Sequence, residues 1–228
     1  MATLYAGTSG FAYNTWKPAF YPEKLAAKKY LEHYATKLNA VEINYTFHRM
    51  PNAGTLAAWV EQTPAGFAFA IKAHQRITHI RRLRDAAEAT EVFFKAIDPL
   101  RSARRIGPVL FQLPPNLKAD HALLAEFLAL LPTDLVHTFE FRHVSWLTEE
   151  TYSLLAKHNV ALCLAESEKL EIPQVLTANY VYWRLRMPAY TAEDRAVIAG
   201  QAERWLAEGR DVYVFFKHEE TPEGALYA

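Results

Sequence analysis

The sequence predicts an α/β chain folded as one (β/α)8, TIM-like barrel with a short or missing last helix. Three observations carry this. Eight short segments alternate apolar and polar residues with the period of a strand. Segments with helical apolar stripes separate them, so the strands should run parallel and be covered by helices. The alternation runs through all 228 residues without a linker, repeat or low-complexity stretch, so residues 1–228 read as one domain.

Leu4 to Gly10 opens the chain as a short strand that runs into a Gly-rich turn, followed by an aromatic loop from Phe11 to Pro22. Lys24 to Leu38 carries a helical stripe of Leu25, Tyr30, Leu31, Tyr34 and Leu38. Ala40 to Phe47 reads as the second strand, with Val41, Ile43, Tyr45 and Phe47 on one face and Glu42, Asn44 and Thr46 on the other. A helix over 52–62 leads to a third strand, Phe67 to His74, whose polar face ends in Lys72 and His74. The basic stretch Arg76 to Arg84 precedes a helix from Asp85 to Leu100. Ile106 to Leu113 is the fourth strand, stopped by Pro114 and Pro115, with Gln112 as its lone polar side chain.

Ala119 to Leu131 is the next helix, and His137 to Trp146 the fifth strand. There Phe139 and Phe141 should face helices, while Glu140 and Arg142 point to the barrel axis. A helix over 148–157, a strand over 159–165 ending at Glu166, and a weak helix over 168–176 follow. Tyr180 to Arg186 is the seventh strand, with Tyr182, Arg184 and Arg186 on one face. Ala192 to Glu208 is a strong helix, and Asp211 to Lys217 the eighth strand. The few residues that remain leave no room for a full eighth helix, which is expected to be short or lost. A doubly wound open sheet is disfavoured, because Gly7-Thr8-Ser9-Gly10 lacks the GxGxxG spacing and no helix follows it directly.

Composition narrows the function. Apolar residues make up 51% and the formal net charge is zero, which disfavours disorder and a generally basic nucleic-acid binder. The single cysteine, Cys163, sits in an apolar run and reads as a core thiol, in keeping with a reducing cytoplasm. No signal peptide or membrane-length apolar run is visible, so a cytoplasmic protein without a membrane partner is expected.

The inward face collects the chemistry. Glu42, Asn44, Lys72, Gln112, Glu140, Arg142, Arg184 and Lys217 fall there, near the carboxyl ends of their strands, where barrel enzymes place their sites. Cations outnumber carboxylates in this set even with Glu166 added, so a pocket for a phosphate or carboxylate is the simplest reading. Arg142 and Arg184 are expected to grip the anion, with Glu140 orienting Arg142. Asn44 and Gln112 would orient the ligand. Tyr13, Trp16 and Trp146 would close over its apolar part. Glu42, Glu140, Lys72 and Lys217 are the candidate acid–base groups, as in a hydrolase or lyase.

The alternatives are a self-satisfied network of structural ion pairs, and a nucleic-acid backbone binder using Arg76, Arg81, Arg82, Arg84 and His79. A glycosidase-like pair of Glu42 and Glu140 is less favoured. A metal site is also less favoured, with only His74 and His218 available, and no GxSxG elbow occurs. No metal or cofactor is expected, and the expected partner is a small anionic ligand.

Several motifs carry a family resemblance. Gly7-Thr8-Ser9-Gly10-Phe11 with Tyr13, Trp16 and Phe20-Tyr21-Pro22 is one. Val41-Glu42-Ile43-Asn44 with Phe47 and Pro51 is another. Pro108 to Pro115, Glu140-Phe141-Arg142-His143 with Ser145-Trp146, and Tyr182-Trp183-Arg184-Leu185 complete the set. Together they resemble the YecE-like family, domain of unknown function 72, over nearly the whole chain. The resemblance implies a TIM-like barrel and supplies no reaction. The chain departs from the family pattern at the mouth. Arg186-Met187-Pro188 stands where a His-Gly pair usually follows the seventh-strand arginine. Lys217-His218-Glu219 stands where Asn residues are common, and Glu166 where Asp is common.

Overall fold

The computed structural model describes residues 1–217 and 221–228. Its centre is a closed barrel of parallel strands in chain order. These are β1 (Leu4–Ser9), β2 (Ala40–Ile43), β3 (Ala68–Lys72), β4 (Ile106–Gln112), β5 (His137–Glu140), β6 (Ala161–Ala165), β7 (Tyr180–Leu185) and β8 (Asp211–Phe216). The helices are α1 (Tyr30–Tyr34), α2 (Tyr45–His48), α3 (Ala53–Glu61), α4 (Ala87–Ser102), α5 (His121–Leu128), α6 (Glu149–Lys157), α7 (Ala192–Ala207) and α8 (Glu223–Tyr227). The last helix is therefore present and short. Closure removes the sheet edges, which would otherwise present unpaired backbone groups.

Side chains sort by strand parity. Val41, Ile43, Phe69, Ile71, Val109, Phe111, Phe139 and Val181 face the helices in the larger core. Ala40, Ala68, Ala70, Leu110, Ala161, Cys163, Tyr180, Tyr182, Tyr213 and Phe215 fill the barrel interior. Small residues on β2, β3 and β6 leave room for the aromatic rings of β7 and β8. Tyr5 and Tyr213 stack at 4.5 Å toward the amino end. Gly7 is dictated by close approach, since a Cβ there would lie 1.9 Å from the Ala40 carbonyl oxygen. Short polar side chains set the helix starts: Asn52, Asp120, Thr148 and Thr191 each accept a backbone N–H of the first turn.

Three elements differ from the sequence reading. The helix expected over 24–38 contracts to a 3-10 turn and α1, neither of which starts with a side-chain cap. Strand β2 stops at Ile43, and Asn44 takes a helical conformation (φ −91°, ψ −18°), so Tyr45 and Phe47 leave the strand and enter α2. No helix forms over 168–176. Pro173 lacks an N–H and disfavours helical angles at Ile172, and this stretch crosses from β6 to β7 as irregular chain.

Candidate functional site

Ser9, Lys72, Gln112 and Glu140 are each the last residue of their strands, and Glu42 and Arg184 stand one residue before the end of theirs. All six carry inward parity, so the barrel's carboxyl end becomes a polar layer above the aromatic and alanine layers. Thr46 fastens α2 over this end by donating to the Lys72 carbonyl at 2.7 Å.

Arg184 is the hub and is 1% exposed. Its Nη2 donates to Glu42 Oε1 at 2.7 Å. Its Nη1 donates to Glu140 Oε2. Glu42 also accepts from Ser9 Oγ at 2.6 Å, Tyr182 OH at 2.7 Å and Asn44 Nδ2 at 3.3 Å. Glu140 Oε2 accepts from Gln112 Nε2 at 2.9 Å, and Gln112 Oε1 accepts from Lys72 Nζ at 2.9 Å. The Gln112 amide is thus fixed at both ends. Arg186 Nη2 approaches both Glu140 oxygens at 3.2 Å. Arg142 Nε lies 3.6 Å from Glu140 Oε1, an ion pair beyond hydrogen-bond length.

The electrostatics follow from these contacts. Burial alone would raise the pKa of Glu140, but Arg184, Arg186, Gln112 and Arg142 outweigh it and hold it at about 2. Burial likewise opposes ionisation of Glu42, and Arg184 with the hydrogen bonds of Ser9 and Tyr182 keeps its pKa below the ordinary value. Lys72 is pushed down to about 8, first by burial and then by Arg184, against the upward pull of Glu42 and Glu140. Its ammonium lies over the Phe47 ring, 4.2 Å from the centroid, and no carboxylate oxygen stands within 4.0 Å of it among the described residues.

A cavity of about 820 Å³ opens beside this layer, lined by Arg142 and Arg186 together with Ala165, Glu166, Trp183 and the chain that follows β6. Arg142 and Arg186 therefore bridge the buried network and the open space.

Comparison with known proteins places this arrangement. The family described as "Protein of unknown function DUF72" matches residues 5–228. The chain belongs to this family. The UPF0759 protein YunF of Bacillus subtilis (strain 168) is 28% identical over 189 residues, spanning 77% of this chain and 66% of that relative's length. A DUF72 family protein of Thermotoga maritima MSB8 superposes with a TM-score of 0.87 at 26% identity, covering 99% of this chain and 96% of that one. One from Enterococcus faecalis V583 gives a TM-score of 0.81 at 17% identity, covering 99% and 94%, a likeness of fold.

Within this DUF72 barrel, Glu42, Asn44, Lys72, Gln112, Glu140 and Arg184 come together in one hydrogen-bonded network. Five residues do not take the roles expected from the sequence. Arg184 does not offer a clamp to a ligand, because its two terminal nitrogens are taken by Glu42 and Glu140. Those carboxylates are 0% and 2% exposed, so they anchor guanidiniums and do not face the cavity. Trp146 is buried against Phe141, stacked at 4.8 Å, with its indole N–H on the Leu117 carbonyl at 2.8 Å. Trp16 is fully buried among Tyr13, Phe20 and Tyr21. Both tryptophans belong to the core behind the barrel wall and close over nothing.

Tyr13 lies near the end of β1, its hydroxyl donating to the Ser9 carbonyl at 3.0 Å. The ring fits because Gly10, at φ 87°, has no Cβ; one would stand 2.2 Å from the Tyr13 oxygen. The strand expected to run to Trp146 ends at Glu140, and Arg142, two residues past that end, is exposed. Glu166 Oε2 accepts the backbone N–H of Arg186 at 2.6 Å and of Met187 at 3.1 Å, and the Tyr190 hydroxyl donates to it as well. It braces the end of β7. Lys217 is exposed just past β8, in the parity of Tyr213 and Phe215.

Ser9, Tyr182 and Arg186 were not among the expected site residues, although Tyr182 and Arg186 share the parity of Arg184. Among the described residues no cluster of three His, Cys, Asp or Glu side chains is arranged for a metal ion. His74 accepts the Arg76 N–H at 3.1 Å, and His218 lies outside the described residues. Cys163 is a buried thiol whose pKa is pushed up by burial. No helix among the described residues is long and apolar enough to cross a membrane.

Proposed function

We propose that the barrel mouth is an acid–base site for a small anionic substrate bearing phosphate or carboxylate. One observation carries this reading. Arg142 and Arg186, just past the ends of β5 and β7, converge on Glu140, whose charge Arg184 already meets from within, and both line the open cavity. That excess of guanidinium over carboxylate leaves donors for an incoming anion. In this reading Glu42 and Glu140 are positioning residues that hold the cations in place. Lys72 does not line the cavity, but unlike the two carboxylates it is only half-buried at the same barrel end; with a pKa of about 8 it is the acid–base group of this reading, in a reaction of the hydrolase or lyase type.

The test is thermal unfolding in inorganic phosphate, sulfate, acetate and a panel of phosphorylated metabolites. Wild type should gain melting temperature with anion concentration, and Arg142→Met and Arg186→Met should each lose most of that gain. If no anion stabilises wild type, the reading is wrong. A second reading has one observation in its favour: Arg76, Arg81, Arg82 and Arg84 are all exposed in the stretch that follows β3. If the barrel instead tracks a phosphodiester backbone, it will be retained on single- or double-stranded nucleic acid in a salt-dependent way.

A further inference from the structure

We infer that the cavity beside β6 and β7 takes the apolar body of the ligand whose charged end meets Arg142 and Arg186. The substrate class is then an amphipathic anion, a phosphate or carboxylate joined to an aromatic or bulky apolar group. This rests on the anion-binding reading of the mouth and adds to it.

The argument begins with the absent helix. Leu164 and Trp183 have the outward parity of β6 and β7, since Cys163, Ala165, Tyr182 and Arg184 point inward. In a (β/α)8 barrel a helix normally packs on that outer face. Here no helix forms over 168–176, where Pro173 disfavours one, and the irregular chain lines a cavity of about 820 Å³. That volume lies within the range of about 300–1,000 Å³ common for small-molecule sites. Leu164 and Trp183 form one wall, with Leu170 and Ile172 from the crossing segment among the other lining residues. Trp183 is held edge-on by Trp205 of α7, with ring centroids 5.2 Å apart, so the wall is set by packing.

Ala165 and the two guanidiniums line the same cavity as Leu164 and Trp183. Its ends differ in charge. Glu168, Lys169 and Glu171 stand exposed at the rim, two carboxylates to one ammonium, so an anionic end placed there meets a net negative charge. Glu166 also lines the cavity, but its Oε2 is engaged by the Arg186 and Met187 N–H groups and the Tyr190 hydroxyl. An anion therefore finds its donors at the inner end, with its apolar part along Leu164 and Trp183.

The test is calorimetric titration of the full chain with three probes: inorganic phosphate, 1-naphthyl phosphate and 1-naphthol. Naphthyl phosphate should bind at least about tenfold tighter than inorganic phosphate, a gain that about 60 Å² of buried ring surface supplies. In Ile172→Asn the ratio of the two affinities should fall toward one. Trp183→Leu should do the same, and agreement between a loop variant and a strand variant separates a binding effect from misfolding. If phosphate binds and naphthyl phosphate is no tighter, or the ratio survives both variants, the cavity proposal is overturned while the anion reading stands. If naphthol binds as well as naphthyl phosphate, the anion reading fails, and with it the amphipathic assignment. If none of the probes binds, both are overturned.

Discussion

Arg184 and Glu42 meet at 2.7 Å from β7 and β2, across a barrel in which β8 and β1 lie between them. Each is almost completely buried. The same guanidinium also meets Glu140 of β5, so one cation ties together three walls of the barrel. Two carboxylates sealed from water beside one another are tolerable only because Arg184 stands between them and Arg186 and Lys72 lie close by.

Replacing Arg184 with Met should therefore be severe. The side chain keeps its bulk, but Glu42 and Glu140 lose the counter-charge they share. Breaking a buried pair by removing one partner costs about 3–5 kcal/mol, and the urea midpoint should fall accordingly. A variant as stable as wild type would show that the carboxylates take up protons without penalty, and that the network is not held by charge.

The acid limb of stability should report Glu140. Its folded pKa of about 2 lies below the ordinary 4.5. Between those values the unfolded chain binds a proton that the folded chain refuses, so stability falls as pH falls. The contribution is complete above about pH 4.5 and gone below about pH 2. Unfolding free energy measured by urea at pH 5 and pH 3.5 should drop more in wild type than in Glu140→Gln. Some slope will remain in the variant, because the pKa of Glu42 is depressed in the same direction.

Trp146 separates core from site. Its stacking on Phe141 and its bond to the Leu117 carbonyl make it part of the helix-facing layer. Trp146→Ala should cost about 3–5 kcal/mol of stability. Phosphate affinity, measured on the folded fraction at low temperature, should be unchanged. A loss of affinity at full stability would return Trp146 to the mouth.

Strand parity explains why much of this was legible in the sequence. A period of two places Glu42, Lys72, Gln112, Glu140 and Arg184 on one face, and a closed parallel barrel has only one face without helices. Parity does not say which cation meets which carboxylate. That depends on the stagger of the strands and on where each one stops. Arg142 has the parity of Glu140, but β5 ends between them, so Arg142 stands exposed at the mouth and not inside the barrel. Arg184 lies inside β7, and there the two glutamates claim it. Aromatic residues in loops are ambiguous for a different reason: packing and lining a pocket select the same residue types, and only the finished core distinguishes them. Trp16 and Trp146 fell on the packing side. The missing helix after β6 was readable in principle, since Pro173 sits inside the apolar stripe.

The last prediction concerns Lys72, the group the proposed chemistry depends on. Burial and the Arg184 charge lower its pKa to about 8, while Glu42 and Glu140 pull it up. Lysines are acylated through the neutral amine, so trace labelling with acetic anhydride, read by peptide mass, gives each residue its own titration. Lys72 should show a midpoint near pH 8, against an ordinary lysine value of 10.5. The effect on stability has a definite sign. Between about pH 8 and 10.5 the unfolded chain keeps a proton that folded Lys72 has lost, so stability rises with pH across that window. Lys72→Met should lack that rise. The coupling to Glu140 supplies a control, because Glu140→Gln removes an upward pull and should move the Lys72 midpoint lower still. A midpoint near 10.5 in wild type would show that Lys72 is fully compensated, and would remove it as the proton-transfer group of the site.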